Sequence, residues 1–194
     1  MATPHKQDRP GKPPRLAFVF QDYQSPLYYV TICVQDRHPV LTCDTIHAAF
    51  IENAGKSQAN GNAVGRYVLM PDHIHLFVSV GRDTRLTDYV RFLKADLKKA
   101  CRTCVAKTAP HRGAATRGLS GCDALCSRPS VRGGEATAWD FQDGFFDHLI
   151  RHSESYTEKW NYVRDNPVRA QFVETPDEWP YQGEITPLQG CWQS

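Results

Sequence analysis

Aromatic and β-branched residues crowd Leu27-Tyr28-Tyr29-Val30-Thr31-Ile32-Cys33-Val34, a pattern that predicts a buried strand. Asp44 or Thr45 then caps a helix running to about Gln58, with Ile46, Phe50 and Ile51 on one side and Asn60-Gly61-Asn62 as its stop. Two more apolar runs, 64–70 and 73–80, are joined tightly around Pro71-Asp72 and predict a hairpin. Leu86, Val90, Leu93, Leu97 and Ala100 recur at helical spacing. A second stripe on that helix, Arg91, Lys94, Lys98 and Arg102, is basic and offset from the first.

Residues 101–138 break the pattern. They contain no aromatic residue and many Gly and Pro, so they have little apolar surface to bury and read as a long flexible insertion. Order resumes at 139–150 as a strand with a turn. A last helix opens at Ser153 and ends near Asn166, because the residue before Pro167 disfavours helical geometry. Strand, helix, hairpin, helix, strand and helix make an α+β fold: a ferredoxin-like βαββαβ sandwich with an antiparallel sheet and an added C-terminal helix. Its two main helices are expected on one face of the sheet, leaving the other for a ligand. The domain should span 16–181, between a basic, Pro-rich arm at 1–15 and a tail at 182–194.

Composition changes this picture little: 194 residues, 41% hydrophobic, 23% charged and a net charge of +2 describe an ordinary globule. No apolar run suits a membrane span or a signal peptide, so no membrane partner is expected. Seven cysteines without a secretion signal imply reduced thiols in a cytoplasm. Cys101-x2-Cys104 and Cys122-x3-Cys126 nearly fit a zinc site, though the second spacing is one residue too long for the usual ribbon. Charge distribution is more telling. Residues 82–112 carry nine Lys/Arg against three Asp, while 139–194 carry four Lys/Arg against ten Asp/Glu. A basic block beside an acidic half fits a polyanion-binding face, although two solvated surfaces would look the same.

Chemistry enters with Met70-Pro71-Asp72-His73-Ile74-His75-Leu76. Side chains alternate along a strand, so His73 and His75 share one face and form a pair of candidate metal ligands. The competing reading is a packed or surface pair. On the last helix Tyr162 and Asn166 are four apart and share a face. A metal that polarises a phosphate, a phenol that attacks it and an amide oxygen as third ligand make a coherent set. Such ligands favour Mg²⁺ or Mn²⁺, with Zn²⁺ the alternative. Tyr156 is a rival nucleophile, but six residues turn a helix by about 240°, so it and Tyr162 cannot serve one site equally.

The His-hydrophobic-His run resembles the motif of HUH single-tyrosine transposases. Trp139 to Ala170, with Gly144-Phe145-Phe146-Asp147-His148 and Tyr162-x-x-x-Asn166-Pro167-Val168-Arg169, resembles the REP-associated tyrosine transposases. The resemblance covers about 16–100 and 139–181, and departs at the long basic stretch 101–138. It implies a ferredoxin-like nuclease that cuts and rejoins single-stranded DNA near short hairpins. It also implies a 5′-phosphotyrosine link, with Tyr162 as nucleophile, His73 and His75 as metal ligands and Asn166 as third ligand. Tyr162 then completes its own site in a monomer or a partner's in a homodimer.

DNA as substrate makes Arg91, Lys94, Lys98 and Arg102 candidate phosphate contacts, and Lys6, Arg9, Lys12 and Arg15 a candidate groove-seeking arm. Tyr28, Tyr89 and Phe145 are candidate stacking surfaces or core residues. His148, Asp147 and Arg151 stay open between catalytic, DNA-contacting and structural roles. The expected location is cytoplasmic and nucleoid-associated. Two rival functions remain: a catalytically silent DNA-hairpin-binding protein and a phosphohydrolase of small esters.

Overall fold

A computed structural model of the chain describes residues 25–108, 139–151 and 153–188. Five strands form one antiparallel sheet in the order β4-β1-β3-β2-β5: β1 Leu27–Cys33, β2 Ala63–Met70, β3 His73–Ser79, β4 Phe146–Ile150 and β5 Gln182–Glu184. The helices are α1 Asp44–Gln58, α2 Leu86–Thr108, α3 Ser153–Arg164 and the single turn α4 Asn166–Arg169. This is the expected α+β sandwich with an extra edge strand. Residues 182–184, expected in a tail, pair with β2, and Leu188 is buried against the bulged β2, 2.5 Å from where a Cβ on Gly65 would stand. A Cβ at Gly65 would force that leucine to shift.

Alternation along the strands divides the molecule. Val30 and Ile32 of β1 pair with Leu76 and Ile74 of β3, all fully buried, and this is the face that α1 and α2 cover. On α1 the buried apolar residues are Ile46, Phe50 and Ala54, joined by Asn53 and Ser57 on the same side of the cylinder. Ile51, expected among them, is 44% exposed, since the step from 50 to 51 turns about 100° away. Neither Asp44 nor Thr45 is the N-cap: that position is Cys43, and its side chain makes no capping bond. On α2, Val90, Leu93 and Leu97 are buried as their spacing predicts, with Cys101 extending the stripe. That helix runs to Thr108, beyond the expected onset of the insertion at 101, because the buried stripe keeps packing past Ala100. Truncating Leu76 should cost about 2–5 kcal/mol of unfolding free energy, since nothing can collapse into the centre of a two-layer core. Urea denaturation of Leu76→Ala measures it.

The opposite face is covered differently. α3 lies across one part of it, with the buried Tyr156 ring 4.5 Å from the Phe77 ring and Val163 also buried. Beside this cover, the same face carries Tyr29, Thr31, His73 and His75. β4 is held from outside the sheet: Lys94 Nζ donates to the Gln142 and Gly144 carbonyls at 2.8 and 2.6 Å, and Lys98 pairs with Asp140 at 2.6 Å. Trp139 Nε1 donates to Cys101 Sγ at 3.0 Å. The arm at 1–15, residues 109–138, Cys122, Cys126 and the Cys104 side chain lie outside the described residues.

Candidate active site

His73 and His75 project from one face of β3, as strand periodicity requires, with ring centroids 4.7 Å apart. Each ring is held through Nδ1. His73 Nδ1 donates to Asp72 Oδ1 at 2.6 Å, and Asp72 Oδ2 accepts from Arg37 Nε at 2.9 Å. His75 Nδ1 lies 2.8 Å from the Tyr29 hydroxyl and 2.9 Å from Thr31 Oγ1, which itself donates to the Tyr29 oxygen at 3.2 Å. With a proton on each Nδ1, both rings keep an Nε2 lone pair, the tautomer that ligates metal.

Burial pushes the His73 imidazole below its ordinary pKa, partly offset by its bond to Asp72. His75 is driven further, to about 3, by burial and then by the positive fields of His73, Arg169 and Arg37. Both rings are therefore neutral at pH 7. Arg37 reaches Asp72 from a backbone in the left-handed region, φ 57°, directly after Asp36 at φ 53°. Two successive non-glycine residues there cost of order 1–3 kcal/mol each, and the turn survives because Arg37 is anchored.

Tyr162 sits on α3 and is 64% exposed. It is near enough to Tyr29 that its charge bears on that phenol, whose pKa is raised first by burial, lowered by the Thr31 bond and raised again by Tyr162. Tyr29 in turn touches His75. The Arg169 guanidinium lies 4.1 Å from the Tyr162 ring centroid and donates to the Tyr162 carbonyl at 2.7 Å. Tyr156 is a core residue instead, 2% exposed. The helix is interrupted at Asp165, so Asn166 opens the separate turn α4, and its Oδ1 accepts from Arg169 while its buried Nδ2 has no partner among the described residues. Asp165 itself keeps right-handed helical dihedrals, φ −81° and ψ −2°, and the Arg169 guanidinium contacts both the Tyr162 ring and Asn166. Among the described residues no group of three or more His, Cys, Asp or Glu gathers as a metal site.

The basic stripe of α2 lies with that helix on the face away from the histidines. Lys94 and Lys98 are spent on the segment before β4, Arg91 pairs with Asp88 at 3.1 Å, and Arg102 is exposed. Tyr89 and Phe145 are buried and Tyr28 half-buried. His148 is exposed on β4 opposite Tyr29, and burial followed by Lys159 and Arg151 lowers its pKa, against Asp147. Sequence reasoning gave no role to Asp72, Arg37, Tyr29, Thr31, Lys159 or Arg169. Tyr29 and Thr31 were findable, because their parity on β1 puts them on the His75 face once the strands pair.

Residues 23–112 match the family model described as transposase IS200 like, a span holding both histidines. A candidate REP-associated tyrosine transposase of Haemophilus influenzae is 26% identical over 163 residues, covering 80% of this chain and 77% of that one. Over the span matched by the family model the chain is similar to the IS200-like transposases. A solved REP-associated tyrosine transposase bound to a REP hairpin superposes with a TM-score of 0.55 at 16% identity, over 90% of this chain and 96% of that one. At that identity the likeness establishes the shared fold. Tyr162 and Asn166 fall beyond the span matched by the family model. No helix among the described residues is long and apolar enough to cross a membrane.

Proposed function

We propose that the chain cleaves and rejoins single-stranded DNA beside REP-like hairpins, with Tyr162 as nucleophile and a divalent cation at His73 and His75. One observation carries this reading: the exposed Tyr162 ring lies 4.1 Å from the Arg169 guanidinium, whose positive field reaches His75. The phenol oxygen attacks phosphorus, the bond from phosphorus to the 3′ oxygen breaks, and a 5′-phosphotyrosine and a 3′-hydroxyl result. The phenol proton leaves to solvent and the departing oxygen takes one up. Rejoining runs the same exchange backwards.

The residues fit a cation such as Mg²⁺ or Mn²⁺ in part. Two neutral imidazoles with oriented Nδ1–H groups suit it, whereas Asn166 Oδ1 is engaged by Arg169. His73 and His75 would hold the ion, with DNA and water oxygens as further ligands, and the bound ion would supply polarisation of the phosphate. Arg169 keeps the Tyr162 ring in place and brings positive charge near both the phenol and His75.

Wild-type protein, Mg²⁺ and a labelled hairpin oligonucleotide with single-stranded flanks should give a labelled protein band that survives SDS. Hairpin binding with no such band under any divalent cation would leave the silent DNA-binding reading in its place. Asp72→Asn tests how the site is held: losing the carboxylate that orients His73 should weaken Mn²⁺ binding about 10- to 100-fold by calorimetry, with the fold unchanged by circular dichroism.

A further inference from the structure

Phe146 is 58% exposed on β4, at the sheet edge. Its position is specific. Phe146 pairs with Thr31, Thr31 with His75, and His75 with Val68, so all four lie in one row across the face that carries the histidines. Two strand spacings separate Phe146 from His75, about 10 Å. The residue between them is a small threonine turned toward His75. Tyr29 meets the phenyl ring nearly at right angles, 69° at 6.4 Å, which leaves ring surface to solvent. Cations flank the row: Lys159 Nζ stands 5.4 Å from the Tyr29 ring centroid, and Arg151 follows β4.

Flat exposed aromatics among cations are how proteins hold unpaired nucleic acid strands, the bases stacking and the phosphates pairing with charge. We infer that Phe146 is a stacking platform for an unpaired base of the DNA strand flanking the cleaved linkage, with Lys159 beside the adjoining phosphate. This rests on the single-strand cleavage reading above. The cations favour DNA over a protein partner, and edge-to-edge pairing of two copies through β4 is the rival occupant.

The test uses full-length Tyr162→Phe protein, which should bind without cutting, and hairpin oligonucleotides carrying 2-aminopurine at each flanking position in turn. One position should show strong quenching. Phe146→Ala in the same background should abolish that quenching and weaken binding about 5- to 100-fold, and Phe146→Trp should restore both. The exposed site predicts an unchanged melting temperature for Phe146→Ala. Quenching and affinity that survive Phe146→Ala overturn the platform, as does a wild-type dimer that this substitution splits in sedimentation. A wild-type covalent band with no change on Phe146→Ala defeats this inference alone. Intact Phe146-dependent quenching with no covalent band defeats the cleavage reading alone, and no binding of any oligonucleotide defeats both.

Discussion

Tyr162→Phe is expected to abolish the SDS-resistant DNA adduct, lowering cleavage at least about 10⁴-fold, on the scale of deleting a nucleophile. The substitution removes one oxygen and little else. The ring is exposed, so stability should stay within about 0.5 kcal/mol of wild type. The Arg169 guanidinium over the ring keeps its aromatic partner, and its bond to the residue's carbonyl does not depend on the side chain. Hairpin binding should persist, so loss of the adduct reports chemistry rather than affinity. Tyr156→Phe is the control: it alters a buried ring packed on Phe77 and should leave the adduct in place. An adduct that survives Tyr162→Phe and disappears with Tyr156→Phe would reverse the assignment.

His75→Ala should eliminate cleavage and divalent-cation binding together, and should also change how stability depends on pH. Free histidine titrates near 6.5, whereas the folded-state pKa of His75 lies at about 3. Between those values the unfolded chain binds a proton that the native site refuses. Stability from this residue is therefore complete above about pH 6.5 and is lost as pH falls toward 3. Urea denaturation from pH 7 to pH 4 should show a steep decline for wild type and a shallower one for His75→Ala. A parallel decline in both would mean that the imidazole is not held neutral. Because neither histidine must shed a proton at neutral pH, cation affinity should also be nearly flat from pH 8 to pH 6.5.

How much of this was legible follows from which rules are local. Alternation placed His73 and His75 on one face, and apolar spacing located β1, the hairpin and both packed helices, because burial acts directly on those patterns. The reading faltered where one residue decides. Phe145 is open in sequence between stacking surface and core, and it is buried; the exposed ring is its neighbour Phe146, a one-step difference set by pairing with β1. Asn166 opens a separate turn after Asp165, and its Oδ1 is taken by the guanidinium that lies over the Tyr162 ring, a contact that helix arithmetic does not reveal. Lys94 and Lys98 looked free because their acceptors lie more than forty residues away along the chain. Asp72 and Arg37 were silent for the same reason: an ion pair between a strained turn and a hairpin corner leaves no periodic trace.

The hydrogen bond from Trp139 to Cys101 has an engineering consequence. It ties the segment that precedes β4 to α2 within two turns of that helix's end at Thr108, so the sheet does not dictate how many residues run between the helix end and Trp139. Doubling such a connection costs only about 0.6 kcal/mol in closure entropy. That makes the junction a natural port for grafting a reporter or an added recognition module onto this scaffold, at no expense to the strand pairing that supports the histidines.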